Sequence, residues 1–525
     1  MVKVDGVQVA IVWMRNILRI HDNPLLTWAS SRDDLDAVIP LIIMDPDRGF
    51  GSTKHMGSAR MRFLHDSLID LSDCLSRDYG AGLTILSGRA QELIPMTVKS
   101  LNGMVKWVLC DYVQDPESRE EIYRIHRSLS DLGVKTKVFP AVNTLLDVEA
   151  ITKDDEYENP KSTKDMDKIL TRSLGITTEG YLVPKPLKPI EKINYYQDLV
   201  NDLNDSDFLR GRIVTRNYLA TIPEQTNTLG RYFPGGESEA IDRLRRKVIE
   251  RPEFVNRFSK PSTASTNDLN NPLEPSTTGL SPYLSTGCLS IRLLWEECRK
   301  ANEGKEHTQP PKSLQGQIIF REMFYLLSRS VNNWDDDVEN INCKPILWGD
   351  YDKDMLTAWE DGMTGFPFID AMMRQLDETG WMHHLGRHAV SCFLTRGQLW
   401  QHWKYGRDIF EKKLVDSDWA VNNGNWLWLA GVAPFSMPYY RVYNPCPDSK
   451  SSLNVETEGA EFIRHWVPEL ASFPSKFIFE PHLAPIEVQN TSGCIIGQDY
   501  PWPIVDRKES RRLNLSLFKE SLERE

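Results

Sequence analysis

A chain of 525 residues is longer than a single simple hydrophobic core supports, so two domains are expected. With 40% hydrophobic and 26% charged residues it has a globular composition, and no apolar run reaches the length of a membrane span. A formal charge of −12 argues against a surface devoted to phosphate backbones, though a local basic patch remains compatible with it.

The opening MVKVDGVQVAIVW lacks the organisation of a signal peptide, and the eight cysteines show neither CxxC nor close pairing. A reduced, intracellular chain (nucleus and cytoplasm) is the expectation. Val7–Trp13 is an apolar β-type run. The segments 37–44, 83–86, 105–110 and 134–139 read as further strands, with helical stretches at 59–77 and 117–132. This alternation predicts an α/β N-terminal domain over 1–145, built on a parallel, Rossmann-like sheet. Neither GxGxxG after the first strand nor GxxxxGK[ST] is present, which argues against an ordinary dinucleotide or ATP site there.

Residues 146–216 turn polar and acidic and read as a connector, with DDEYENPKSTKD as a surface loop. From 217 to 525 the periodicity is helical, which predicts an all-α second domain. Arg243, Arg245, Arg246 and Lys247 read as a solvated helix face. Residues 259–276, rich in Ser, Thr, Asn and Pro, read as a loop. Thr277, Thr278 and Ser281 in TTGLSPYLSTGCLSIR place hydroxyls at a helix start, where backbone N–H groups can hold an anion.

The densest stretch runs from Gly380 to Trp428, with six tryptophans, four histidines, Asp416 and Asp418, and an Asn-Asn-Gly-Asn turn. His384 and His388 are one helical turn apart on one face. Trp400 and Trp403 are expected to share a face of the next helical segment. Zinc helices carry a Glu between two such histidines, whereas here Arg387 lies between them, so no metal site is expected. Core packing accounts for Trp381 and Phe393. It does not account for Asp416, Asp418, Asn422, Asn423 and Asn425 crowded around indoles, because buried polar groups need partners. A polar heterocycle would supply them.

In this order the motifs resemble the photolyase/cryptochrome family, in the branch of (6-4) photolyases and animal cryptochromes, over nearly the whole chain. WMRNILRIHDNPLL, with Arg15, Arg19, Asp22 and Asn23, is similar to the family's opening signature, and RMRFLHDSLIDL to its first amphipathic helix. The resemblance implies FAD, with its pyrophosphate at Thr277, Thr278 and Ser281. Gln317, Arg321, the pair Arg387–Asp416, Asp418 at the ring N3–H and Asn422 at N5 would surround the isoalloxazine. It implies a light-driven tryptophan chain of Trp426, Trp403 and Trp348, with Trp400 as a further member. His384 and His388 would be the catalytic histidines, and Lys260, Phe320, Trp428 and Tyr443 would line the substrate cavity.

Two functions follow from that resemblance. A photoreceptor would work through signalling or clock proteins. A (6-4) photolyase would act on UV-damaged DNA by flipping the lesion into its cavity. Both histidines, Asn422 and Gln317 favour repair. Phe320 where the family has Trp, an extra residue around Pro434–Pro438 at the expected cavity wall, and the acidic balance favour the photoreceptor, the reading adopted here. The resemblance leaves an antenna pigment open, since many members carry none, and is silent on oligomeric state.

Overall fold

The computed structural model describes residues 6–45, 48, 50, 53–177, 180–215, 232–259, 267–268, 271–447 and 459–524. Lys260 and half of the Ser/Thr-rich loop (260–266 and 269–270) lie outside the described residues. Five strands form one parallel sheet: β1 (Val9–Trp13), β2 (Ala37–Met44), β3 (Thr84–Ser87), β4 (Val105–Asp111) and β5 (Lys135–Phe139), in the order β3-β2-β1-β4-β5. Ile11 stands opposite Ile39 on one side and Val108 on the other. All five β1 residues are buried, which is why the strand is a continuous apolar run and not an alternating one.

Helices α1 (Pro24–Ser30), α2 (Ser58–Tyr79), α3 (Ala90–Ser100) and α4 (Pro116–Ser130) cross between the strands. One face of the sheet, with Ile11, Leu41 and Val108, packs on Leu93, Ile94, Ile125 and Leu129 of α3 and α4. The other face, with Val12, Ile42 and Leu109, belongs to a core that passes through Phe63 and Leu64 of α2 into the helical half of the chain. The two halves therefore share apolar contacts directly.

Polar residues of the opening signature reinforce that junction. The Arg19 guanidinium is fully buried and donates to Val142 O at 2.9 Å, Asn143 Oδ1 at 2.9 Å and Gly287 O at 2.8 Å. Asp22 pairs with Arg292 at 2.8 Å and accepts from Leu187 N at 2.8 Å. A buried guanidinium needs several acceptors to offset its desolvation. These are supplied from segments far apart in sequence.

The connector is more ordered than its composition suggests. Within it lie α5 (Val148–Thr152), α6 (Thr163–Leu174) and α7 (Gln197–Asp205), and the acidic loop gives way to α6 at Thr163, capped by Ser162. Met166 and Leu170 of α6 are in the core, so spaced apolar residues anchor a helix that net polarity hid. Beyond it the chain is helical except for a small antiparallel pair, Asn267–Asp268 with Asn271–Pro275, inside the expected loop. The helices that matter here are Leu314–Arg329, His384–Cys392, Trp403–Lys413, Trp419–Leu429 and Arg507–Glu523.

Candidate functional site

A cavity of about 310 Å³ opens within the helical half. Thr277, Thr278 and Ser281 line one side. Gln317, Phe320 and Arg321 reach it from the Leu314–Arg329 helix, and His384, Arg387 and His388 from the next. Asp416, Asp418, Asn422, Trp426 and Trp428 complete the opposite wall. Apolar walls with a few convergent polar groups are the usual form of a small-molecule site.

The polar groups are held in fixed orientations. Arg387 Nη2 donates to Asp416 Oδ2 at 2.8 Å. Asp418 caps the Trp419–Leu429 helix through Val421 N at 3.0 Å and also accepts from Tyr325 Oη. Tyr325 Oη accepts in turn from Arg321 Nη2 at 2.9 Å, whose Nη1 donates to Asn143 O at 2.6 Å. Asn422 Nδ2 donates to Arg407 O at 3.1 Å, leaving its amide oxygen as the acceptor it can offer the cavity. Gln317 Nε2 donates to Pro311 O at 3.3 Å.

The Asn-rich segment is helical, contrary to the expected turn. Asp418 caps it, and Asn423 and Asn425 return their Nδ2 groups to the carbonyls of Trp419 and Val421, each at 2.8 Å. Gly424 fits because a Cβ there would meet the Phe324 ring at 2.4 Å. Arg243 is also corrected: it is buried, donating to Thr278 O at 2.9 Å and Glu274 Oε1 at 2.6 Å behind the phosphate-type loop. Arg245 and Arg246 pair with neighbouring carboxylates, as a solvated face would, but Lys247 is largely buried and shares Glu274 with Arg243.

The His384 and His388 rings touch, with centroids 4.2 Å apart, and His388 Nδ1 lies 2.8 Å from Tyr443 Oη. Burial pushes the Tyr443 phenol up to about 12, so it is the protonated partner of that contact. Trp428 packs on His388 at 5.3 Å and stacks on Phe320 at 5.9 Å with 13° between planes. Tyr443 does not itself line the cavity, contrary to the expectation, and reaches it only through His388. Residues 434–438 do not line the cavity: Phe435 packs behind it, against Phe324 and Trp334.

Among the tryptophans, Trp426 lines the cavity while Trp403, Trp348 and Trp400 lie behind it. The Trp426 ring rests on Gly406, one turn from Trp403 on the Trp403–Lys413 helix, where a Cβ would meet it at 2.1 Å. His402 bridges onward, 5.7 Å from Trp403 and 6.2 Å from Trp348, and Trp348 lies 4.9 Å from Trp400. Trp400 is not helical. Its φ is +55°, an unusual value for a bulky residue, and its carbonyl accepts from Gly349 N at 3.0 Å.

Sequence reasoning missed Arg60 of α2, fully buried, whose Nη1 donates to Val415 O at 2.8 Å beside the cavity aspartates. Burial brings its guanidinium down to about 10, opposed by Asp418 and Asp416. It also missed Ser417 and the apolar wall of Leu284, Ile318, Phe324 and Phe410. The buried Asp416 Oδ1 and Ser417 Oγ have no hydrogen-bond partner among the described residues. Two orphaned polar atoms facing an aromatic-walled cavity fit a planar heterocycle with its own donors.

Comparison with known proteins agrees with this geometry. Residues 314–520 match the model of the FAD binding domain of DNA photolyase, and residues 10–179 match that of DNA photolyase. The chain is 35% identical to a (6-4)DNA photolyase of Oryza sativa subsp. japonica over 95% of this chain and 87% of that one. It is 34% identical to Cryptochrome-1 of Gallus gallus over 97% and 78%. A Synechocystis sp. PCC6803 cryptochrome structure shares the fold, with a TM-score of 0.80 at 23% identity across 97% of this chain and 99% of that one. The chain belongs to the photolyase/cryptochrome family, with a parallel-sheet N-terminal domain followed by a helical FAD-binding domain.

Proposed function

We propose that this protein is an FAD-based blue-light photoreceptor that reduces its flavin through a tryptophan chain. The line of tryptophans from Trp426 in the cavity wall, across Gly406 to Trp403 and on to Trp348 and Trp400, carries this reading, because its outer end is covered by the Arg507–Glu523 helix through Phe518. Bound FAD would supply a light-excitable one-electron acceptor, held by Thr277, Thr278 and Ser281 at its phosphates and by Arg387, Asp416, Asp418 and Asn422 at its ring. Trp426 is the donor in contact with the cavity, and Trp403 and then Trp348 refill it in turn. With FAD bound, the Asn422 oxygen would accept a hydrogen bond from a ring N–H. A change at Trp348 or Trp400 is felt at Phe518, so the terminal helix is the segment whose packing light would alter, toward a signalling or clock partner.

Limited proteolysis in darkness and under blue light tests this. Cleavage within 507–523 should change on illumination in the wild type and not in Trp403→Phe. Identical digests in both states would remove the photoreceptor reading.

A second reading, (6-4) repair of UV-damaged DNA, is supported by His384, His388 and Tyr443 standing together at the cavity with a ring able to give a proton to a lesion. Restoration of bases in a (6-4)-containing oligonucleotide under blue light, lost in His384→Ala, would favour it. An antenna pigment is not part of this proposal. A Sulfolobus tokodaii photolyase structure that shares the fold contains two FAD molecules (TM-score 0.72, 23% identity).

A further inference from the structure

We propose that the tryptophan chain ends on a tyrosine pair, Tyr439 and Tyr440, reached through Phe518. This rests on the photoreduction reading above and assigns the outer terminus of that path. Phe518 of the Arg507–Glu523 helix is fully buried, with its ring 6.2 Å from Trp348 and 6.3 Å from Trp400. On its other side it stacks on Tyr439 at 4.8 Å with 2° between planes, the closest to parallel of the ring contacts described here. Tyr439 is half-buried and lies 5.7 Å from Tyr440, whose relative exposure is 59%.

The chemistry distinguishes the two ends of this path. Trp403 is fully buried and its indole N–H meets only the Cys343 thiol, a poor base that burial keeps protonated, so once oxidised it cannot hand its proton on and its charge must move. Tyrosine oxidation requires loss of the phenolic proton, which a residue at the surface gives to water. The step is an exchange: Tyr439 or Tyr440 gives one electron to the oxidised indole of Trp348 or Trp400 and its phenolic proton to solvent. The indole returns to its closed shell, a neutral tyrosyl radical remains, and the original oxidant is the light-excited flavin, one electron richer. Phe518 is not oxidised and serves as the bridge. A second ring route leads from His402 to Tyr405 at 6.0 Å and Tyr351 at 5.1 Å, but its rings meet edge to face and it leaves the path at His402, before Trp400.

A test that needs no flavin photochemistry uses the full holoprotein in the dark, with azide radicals from pulse radiolysis to oxidise tryptophan. The broad tryptophanyl absorption should decay into the narrow tyrosyl band at a rate independent of protein concentration. The double variant Tyr439→Phe, Tyr440→Phe, which keeps both rings, should lose most of the tyrosyl band with the initial tryptophanyl yield unchanged. Phe518→Leu should slow the hand-off, and Tyr351→Phe should leave it intact. Full tyrosyl yield in the double variant, or its loss in Tyr351→Phe, overturns the proposal. Blue-light excitation of the same proteins, read by the tyrosyl signal in electron paramagnetic resonance, then separates the two readings. Dark hand-off without a light-driven radical would refute the flavin-fed chain and leave the tyrosine terminus standing.

Discussion

Arg387 Nη2 donates to Asp416 Oδ2 at 2.8 Å, while Oδ1 of the same carboxylate is buried with no hydrogen-bond partner among the described residues. One oxygen is tied to the arginine, and the hydrogen-bonding capacity of the other is unused. Asp416→Asn keeps the shape but removes the charge. A hydrogen bond to an ionised group contributes about 1.5–3 kcal/mol, so FAD affinity should fall by roughly tenfold to a hundredfold. Equilibrium dialysis of FAD measures this, and unchanged retention would show that Asp416 does not face the flavin.

Trp403→Phe should suppress flavin photoreduction, because phenylalanine is far harder to oxidise than the indole it replaces. The folded structure should survive, since a single core substitution costs about 0.5–3 kcal/mol. Trp400→Phe, at the outer end of the path, should have a smaller effect. The absorbance of bound flavin under steady blue light reports all of these, with circular dichroism as the control for folding.

Glu322 predicts a pH dependence that is independent of light. Its side chain is fully buried, accepts from Leu145 N at 2.9 Å and Leu146 N at 3.1 Å, and burial pushes it up to about 7 from 4.5. A carboxyl group that holds its proton more tightly when folded stabilises the fold at low pH. That stability is lost as pH rises from 4.5 through about 7. Glu322→Gln retains an oxygen for both N–H groups and does not titrate. The melting temperature of the variant relative to wild type should therefore rise across this window and level off above it. A difference that does not change with pH would exclude the buried carboxyl as the cause.

Phe320→Trp should strengthen binding of a (6-4)-containing oligonucleotide over an undamaged one. Added stacking of order ~1 kcal/mol corresponds to about fivefold. Fluorescence anisotropy at fixed salt checks it, since phosphate contacts are salt-dependent and would otherwise mask the difference. No change in the ratio would mean that Phe320 does not meet the flipped base.

The parallel sheet was legible because each strand is a short apolar run separated from the next by a helical period, and the bounds of β2 agree to the residue. The cavity residues were legible as a set through the family resemblance; the residues alone marked Asp416, Asp418, Asn422, Asn423 and Asn425 as polar groups crowded around indoles. What remained hidden depended on tertiary contacts. Arg243 looks like one more exposed arginine until Thr278 O and Glu274 are folded against it. Trp400 reads as helical by its spacing from Trp403, yet Gly349 and the preceding turn hold it at positive φ. Arg60 sits in an amphipathic helix whose sequence gives no sign that its charge is used 355 positions later.

That last contact bears on how the protein can be taken apart. The Arg60 guanidinium originates in the α/β domain and ends beside Asp416 and Asp418, beneath a cavity built wholly from the helical half. A fragment containing only the helical half would leave those two carboxylates short of a buried cation. A chimaera with a foreign N-terminal half would keep its cofactor only if the donor placed an arginine at the same depth. The two halves are therefore coupled through this buried charge when swapped or split, although each has the outline of an independent domain.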